Sequence, residues 1–115
     1  EADVLGEARF VDAVGIFPEF LDGYGTLVLP TTGRYFQVPR GCLLPRGLEG
    51  LVVAGRCVAG DRLSHAAMRN MMACTVTGQG AGVVAAMAAR LDTTPRRVAI
   101  EVVHAELTRQ GVRIR

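Results

Sequence analysis

The sequence predicts an α/β fold: a β-hairpin, one short final strand and two C-terminal helices. Three observations predict it. Two β-rich runs, 24–29 and 34–38, flank the turn-like Pro30-Thr31-Thr32-Gly33. Residues 51–54 are uniformly apolar between Gly50 and Gly55, as in a buried parallel strand. From about Met72 the chain carries small and apolar residues to Leu91, and a second helical pattern runs from Pro95 to Gln110.

In chain order, residues 1–23 carry Phe10, Phe17 and Phe20 without sustained period, which predicts a loop-rich entry and one short strand near 11–16. The four-residue, Gly-containing linker 30–33 predicts a hairpin between its flanking runs. Residues 39–50, PRGCLLPRGLEG, hold too much Pro and Gly for regular structure and form a connector. Asp92-Thr93-Thr94-Pro95 ends the first helix and starts the second, with Thr94 as N-cap and Pro95 in the first helical position. Ala99, Val103 and Leu107 make an apolar stripe on that helix, and Gly111 stops it.

Composition narrows the function. A chain of 115 residues with 50% apolar content has room for one small domain. Its net charge of +2 comes without lysine and with scattered arginines, which excludes an electrostatic case for nucleic acid. Cys42, Cys57 and Cys74 are odd in number and lack CxxC spacing, so buried, reduced thiols in a cytoplasmic setting are expected, with no metal site. No uninterrupted run of 18 apolar residues exists, so no membrane span is expected. The opening EADVLGEARF has neither a basic segment nor an apolar one, and reads as the interior of a longer protein.

The first helix has an unusual burden. Gly78, Gly80 and Gly82 each cost about 1 kcal/mol against alanine in a helix interior. Such a burden needs close backbone approach to a sheet, another helix or a ligand. Thr75 and Thr77 supply hydroxyls near the helix start, where unpaired N–H groups and the positive end of the helix dipole meet. Tight packing without any ligand accounts for the same composition. The spacing is not GxGxxG and no acidic ribose partner follows, so a self-contained dinucleotide fold is not expected.

Between strand and helix, Arg56, Asp61, Arg62, Ser64, His65, Arg69 and Asn70 crowd a polar loop. His65 is a candidate for proton transfer, Arg69 for a carboxylate or an electron-rich ring edge, and Arg56 for a phosphate or hydroxyl beyond the strand end. Structural roles compete at each: a solvated turn at Asp61 and Arg62, an ion pair at Arg69, a packed imidazole at His65. Asp61, Ser64 and His65 do not make a hydrolase triad, since Ser and His are neighbours and no GxSxG precedes them. Met68, Met71 and Met72 read as packing or lining residues, and His104 as surface.

The segment from Cys42-Leu43-Leu44-Pro45 through Ala54-Gly55-Arg56, continued by Ser64-His65, Met68-Arg69 and Thr77-Gly78-Gln79-Gly80-Ala81-Gly82, resembles the C-terminal part of FAD-dependent oxidoreductases. It is distantly similar to succinate dehydrogenase and fumarate reductase flavoproteins. The resemblance covers residues 12–112 and is specific from Cys42 to Ala88. It implies the C-terminal portion of a Rossmann-like flavoprotein fold with two dinucleotide-binding domains, residues 1–41 ending a substrate domain and 42–115 the FAD-binding domain. It implies that Gly55 and Arg56 approach the ribityl chain or pyrophosphate. The backbone around Cys74, Thr75 and Val76 would donate to the flavin's N1/O2 edge, Thr77 and Gly78 would also bind the cofactor, and His65 and Arg69 would lie on the side of a small-molecule substrate. The cofactor would be FAD, used for hydride or electron transfer. The GxGxxG element that holds the ADP half is absent from the sequence, so the expected partner is the remainder of a flavoprotein and the chain alone is expected to be inactive. The alternative is a non-catalytic interaction module that pairs with a separate FAD-binding chain.

Overall fold

The computed structural model describes Val4 and residues 8–30 and 33–115. Among these, four strands form two small antiparallel sheets and three helices pack beside them, a mixed α/β arrangement. β1 (Ala13–Pro18) pairs with β4 (Tyr35–Pro39), and β2 (Leu21–Gly23) pairs with β3 (Thr26–Val28). A 3-10 turn (Arg40–Leu43) follows β4, and a second one (Gly55–Cys57) precedes α1 (Arg62–Met68), α2 (Met71–Arg90) and α3 (Ile100–Arg109).

The core forms where the inner sides of β1 and β4 meet α2 and α3. Val14, Phe36, Val38, Leu43, Val84, Val103 and Leu107 are essentially inaccessible to water. Each such side chain contributes about 1.5–3 kcal/mol by leaving water. Phe17 meets Phe36 edge-on, with ring centroids 5.7 Å apart. β1 lies against α2 because two glycines permit it: a Cβ on Gly80 would fall 2.7 Å from Val14 Cγ2, and one on Gly15 would fall 2.6 Å from Val76 Cγ1. Close approach to a strand therefore explains Gly80. Gly78 and Gly82 face open space on the other side of α2.

The expected hairpin between 24–29 and 34–38 is not formed. β3 turns back on β2 and β4 pairs with β1, so the two runs take different partners; Thr31 and Thr32 of the expected linker lie outside the described residues. The tight turn is instead Tyr24-Gly25, where both φ angles are positive (57° and 76°), as a two-residue hairpin loop of primed type requires. The guanidinium of Arg62 sits 3.8 Å from the centre of the Tyr24 ring and ties this hairpin to α1.

Residues 51–54 join no ladder either. Val53 N–H reaches the Leu43 carbonyl at 2.9 Å, but Leu51 is 46% exposed and no described strand runs alongside. A parallel strand needs neighbours on its edges, and among the described residues none is supplied. The polar loop contains a helix that was not expected, α1, started by Asp61, whose carboxylate accepts from Ser64 N–H at 2.7 Å.

α2 begins and ends close to expectation. With 20 residues and a mean hydropathy of 1.3 over its most apolar window, it is long and apolar enough to cross a membrane. Counting unbroken apolar runs passed over it because Thr, Gln and Gly interrupt the sequence. Its inner side packs on β1, the second 3-10 turn and α3.

α3 starts five residues later than Pro95. Ala99 is its N-cap, and residues 95–98 are drawn aside because Arg40 Nη1 donates to Val98 O (2.6 Å) and Arg96 Nη2 to Pro45 O (2.8 Å). Thr94 caps nothing; its buried hydroxyl has no hydrogen-bond partner among the described residues. Ala99 is accordingly exposed, whereas Val103 and Leu107 are buried as the stripe requires. Gly111 does stop the helix: with φ at 79°, its N–H reaches Thr108 O and Val112 N–H reaches Leu107 O, both at 2.9 Å, a Schellman pair. His104 is half-buried rather than at the surface, its Nε2 2.8 Å from Ala13 O. Against the expectation of buried thiols, Cys57 is exposed and Cys42 and Cys74 are half-buried.

Candidate functional site

The run 51–54 ends at Gly55, whose φ of 63° turns the chain sharply into Arg56. That conformation suits glycine. The Gly55 N–H donates to Thr77 Oγ1 of α2 at 2.9 Å, which brings the turn against the helix. Cys74 lines the same junction, its sulfur 3.8 Å from where a Gly55 Cβ would stand.

From this turn the polar residues converge. His65 Nε2 lies 3.1 Å from Arg56 O, and because a carbonyl only accepts, Nε2 is the donor; in the neutral ring Nδ1 is then an acceptor. Arg56 Nε donates to Arg69 O at 3.3 Å. Arg69 Nη2 donates to Asp22 O at 2.6 Å and so joins the end of α1 to β2. Arg69 thus pairs with a carbonyl, not with a carboxylate. Arg56, His65 and Arg69, 13 positions apart along the chain at most, form one hydrogen-bonded cluster at the mouth of α2.

Ser64 is used differently. Its hydroxyl is 2.7 Å from Asp61 Oδ1 in the α1 cap, and His65 faces Arg56, so the hydrolase arrangement is absent from the geometry as well as from the motif.

α2 starts close to the expected Met72, which leaves Cys74, Thr75 and Val76 further into the helix than their expected place at its start. Its N-cap is Asn70 and its first residue Met71, so Cys74 N–H is already spent on Asn70 O at 2.9 Å. The N–H groups left open by helix geometry are those of Met71, Met72 and Ala73. No side chain caps them; Asn70 Nδ2 turns back to Ala66 O and Ala67 O of α1. Thr75 and Thr77 therefore stand inside the helix, not at its tip. Thr75 Oγ1 donates to Met72 O at 2.6 Å, Thr77 is buried, Val76 packs on Gly15, and Gly78 is open to solvent.

Beside this helix start runs an apolar groove between β1 and α2, lined by Ile16, Phe17, Phe20, Met71, Met72 and Thr75. Met71 and Met72 are 80% and 69% exposed, so they line a surface instead of filling the core; Met68 is buried. Sequence reasoning missed the groove, whose β1 wall had no local signal as a site.

The cluster and the glycine turn offer cationic and N–H donors, and the open amides at the start of α2 stand beside the apolar groove. That set can receive a flat, partly anionic ligand. Among the described residues no group of three or more His, Cys, Asp or Glu comes together to hold a metal. No curated protein and no solved structure matches the chain. A family model described as FAD dependent oxidoreductase matches residues 1–107.

Proposed function

The chain belongs to the FAD-dependent oxidoreductase family, and on that premise we propose that it supplies the flavin-ring and ribityl side of an FAD site together with part of the substrate side. The observation that carries this reading is the placement of Arg56. Its guanidinium is held by one bond to the carbonyl of Arg69, the residue that ends α1 just before α2 begins, and follows a glycine with no side chain to obstruct approach. Gly55 and Arg56 would hold the ribityl or phosphate part, and the first turn of α2 would stabilise negative charge on the ring. When bound, FAD supplies hydride or single-electron transfer.

His65 and Arg69 take the substrate side in this reading. Arg69, braced on Asp22 O, can fix an anionic group of a small molecule, and His65 Nδ1 can accept a proton. The ADP half has no counterpart in this sequence. Its site belongs to a GxGxxG-bearing half, with which residues 51–54 would gain the neighbouring strand they lack and complete the Rossmann-like sheet. Residues 1–41 then close the substrate domain and 42–115 the FAD-binding domain. Three thiols without disulfides fit a reducing, cytoplasmic setting.

A second reading, a non-catalytic module that pairs with another FAD-binding chain, is favoured by the exposed Met71 and Met72. Absorbance separates the two. The purified chain is recorded at roughly 375 and 450 nm, where flavins absorb, before and after addition of FAD and removal of the excess, alone and co-expressed with a GxGxxG-bearing half. Flavin retained by the complex and lost on Arg56→Ala supports the proposal. A complex that assembles, binds FAD, and is indifferent to Arg56→Ala supports the module. Turnover by the isolated chain would overturn its expected inactivity.

A further inference from the structure

Thr77 is wholly buried, and its hydroxyl is fully used. It accepts from Gly55 N–H at 2.9 Å and lies 3.2 and 3.0 Å from Ala73 O and Cys74 O, to which its one hydrogen is shared. A threonine inside a helix ordinarily bonds only to the preceding turn. Here it also catches an N–H from a residue 22 positions earlier. No donor or surface remains on Thr77 for a cofactor.

The bond it makes sits at a point of leverage. Gly55 has wide conformational freedom, and the residue after it carries both arms of the cluster: Arg56 O accepts from His65, and Arg56 Nε donates to Arg69 O. We propose that Thr77 is a positioning residue, which fixes the Gly55–Cys57 turn and through it holds Arg56 Nε on Arg69 O. This rests on the reading of Arg56 given above. Removing the oxygen while keeping the branched shape leaves the part-buried Gly55 N–H without its acceptor, and the turn loosens.

The test compares Thr77→Val with Thr77→Ser and the unsubstituted chain by hydrogen exchange of the Gly55 amide and of the Arg56 Nε–H, with the Val103 and Leu107 amides of α3 as controls. Exchange at both Gly55 and Arg56 rises about tenfold in Thr77→Val, the scale of one lost hydrogen bond, returns in Thr77→Ser, and leaves α3 unchanged. Faster exchange at Gly55 with none at Arg56, or an equal rise in α3, overturns the proposal. In the FAD-loaded complex, Thr77→Val also weakens FAD binding about tenfold and Thr77→Ser restores it; unaltered affinity overturns the proposal too. Failure of the unsubstituted complex to take up FAD counts against the functional reading alone, and the exchange data then decide the role of Thr77.

Discussion

Val14 of β1 occupies the space that a side chain on Gly80 of α2 would need, its Cγ2 2.7 Å from the ideal Cβ position. Gly80→Ala therefore forces β1 away from α2. A loss of about 1–3 kcal/mol is expected from overpacking, only partly offset by better helix propensity. Gly78→Ala and Gly82→Ala meet nothing within 4 Å and should each stabilise by about 0.5–1 kcal/mol. Urea unfolding of the three variants checks this; equal effects at all three positions would refute the packing explanation.

Arg56 is exposed and makes one side-chain hydrogen bond, at 3.3 Å. Arg56→Ala should change stability by no more than about 0.5 kcal/mol and weaken FAD binding about tenfold, as for one lost charge-assisted contact. Arg56→Lys should restore little, since an ammonium lacks the planar fork. Flavin fluorescence titration of the GxGxxG complex reads this directly, and full affinity in Arg56→Ala contradicts it.

At the end of α3, hydrogen bonds from Arg109 first and Gln110 second hold the Glu106 carboxyl at about 2, below its ordinary 4.5. The native state therefore binds this proton more weakly than the unfolded state does. The contribution is complete above about pH 4.5 and is lost as pH falls towards 2. Glu106→Gln should flatten that part of the stability profile. Urea midpoints measured down the acid range test it, and an unchanged slope in Glu106→Gln rules it out.

Burial, with Asp12 adding to it, pushes the Cys42 thiol up to about 11, and its Sγ lies 3.0 Å from Pro39 O. Cys57 is exposed. Iodoacetamide near neutral pH should label Cys57 and spare Cys42 until the chain unfolds, because the thiolate is the nucleophile. Peptide mass spectrometry reads the order, and labelling of Cys42 at the Cys57 rate would defeat the expectation.

Most residues that the fold gathers around the Gly55 turn stood out along the chain. Gly55, Arg56, His65, Arg69, Cys74 and Thr77 were marked by residue type and by the motif that carries the family resemblance, and the fold brings them together. What their types did not reveal was who touches whom. Thr77 was expected among the cofactor-binding residues, and its hydroxyl accepts from Gly55 N–H. The open amides belong to Met71, Met72 and Ala73 because Asn70, not a later residue, begins α2. Asn70 sends its amide to α1 instead of capping α2, so the cap left no usable signature.

The sequence by itself determined the features with local causes. Small and apolar residues made α2, a positive-φ glycine closed α3 at Gly111, and Val103 and Leu107 marked the buried side of that helix. Tertiary structure alone decided the pairing of β1 with β4, the displacement of 95–98 by Arg40 and Arg96, and which of the three α2 glycines meets a strand. Helix propensity and turn geometry act over a few residues and can be read from them. Strand partners and close backbone approach depend on which distant surfaces bury each other, and similar β-rich runs suit several pairings until the core selects one.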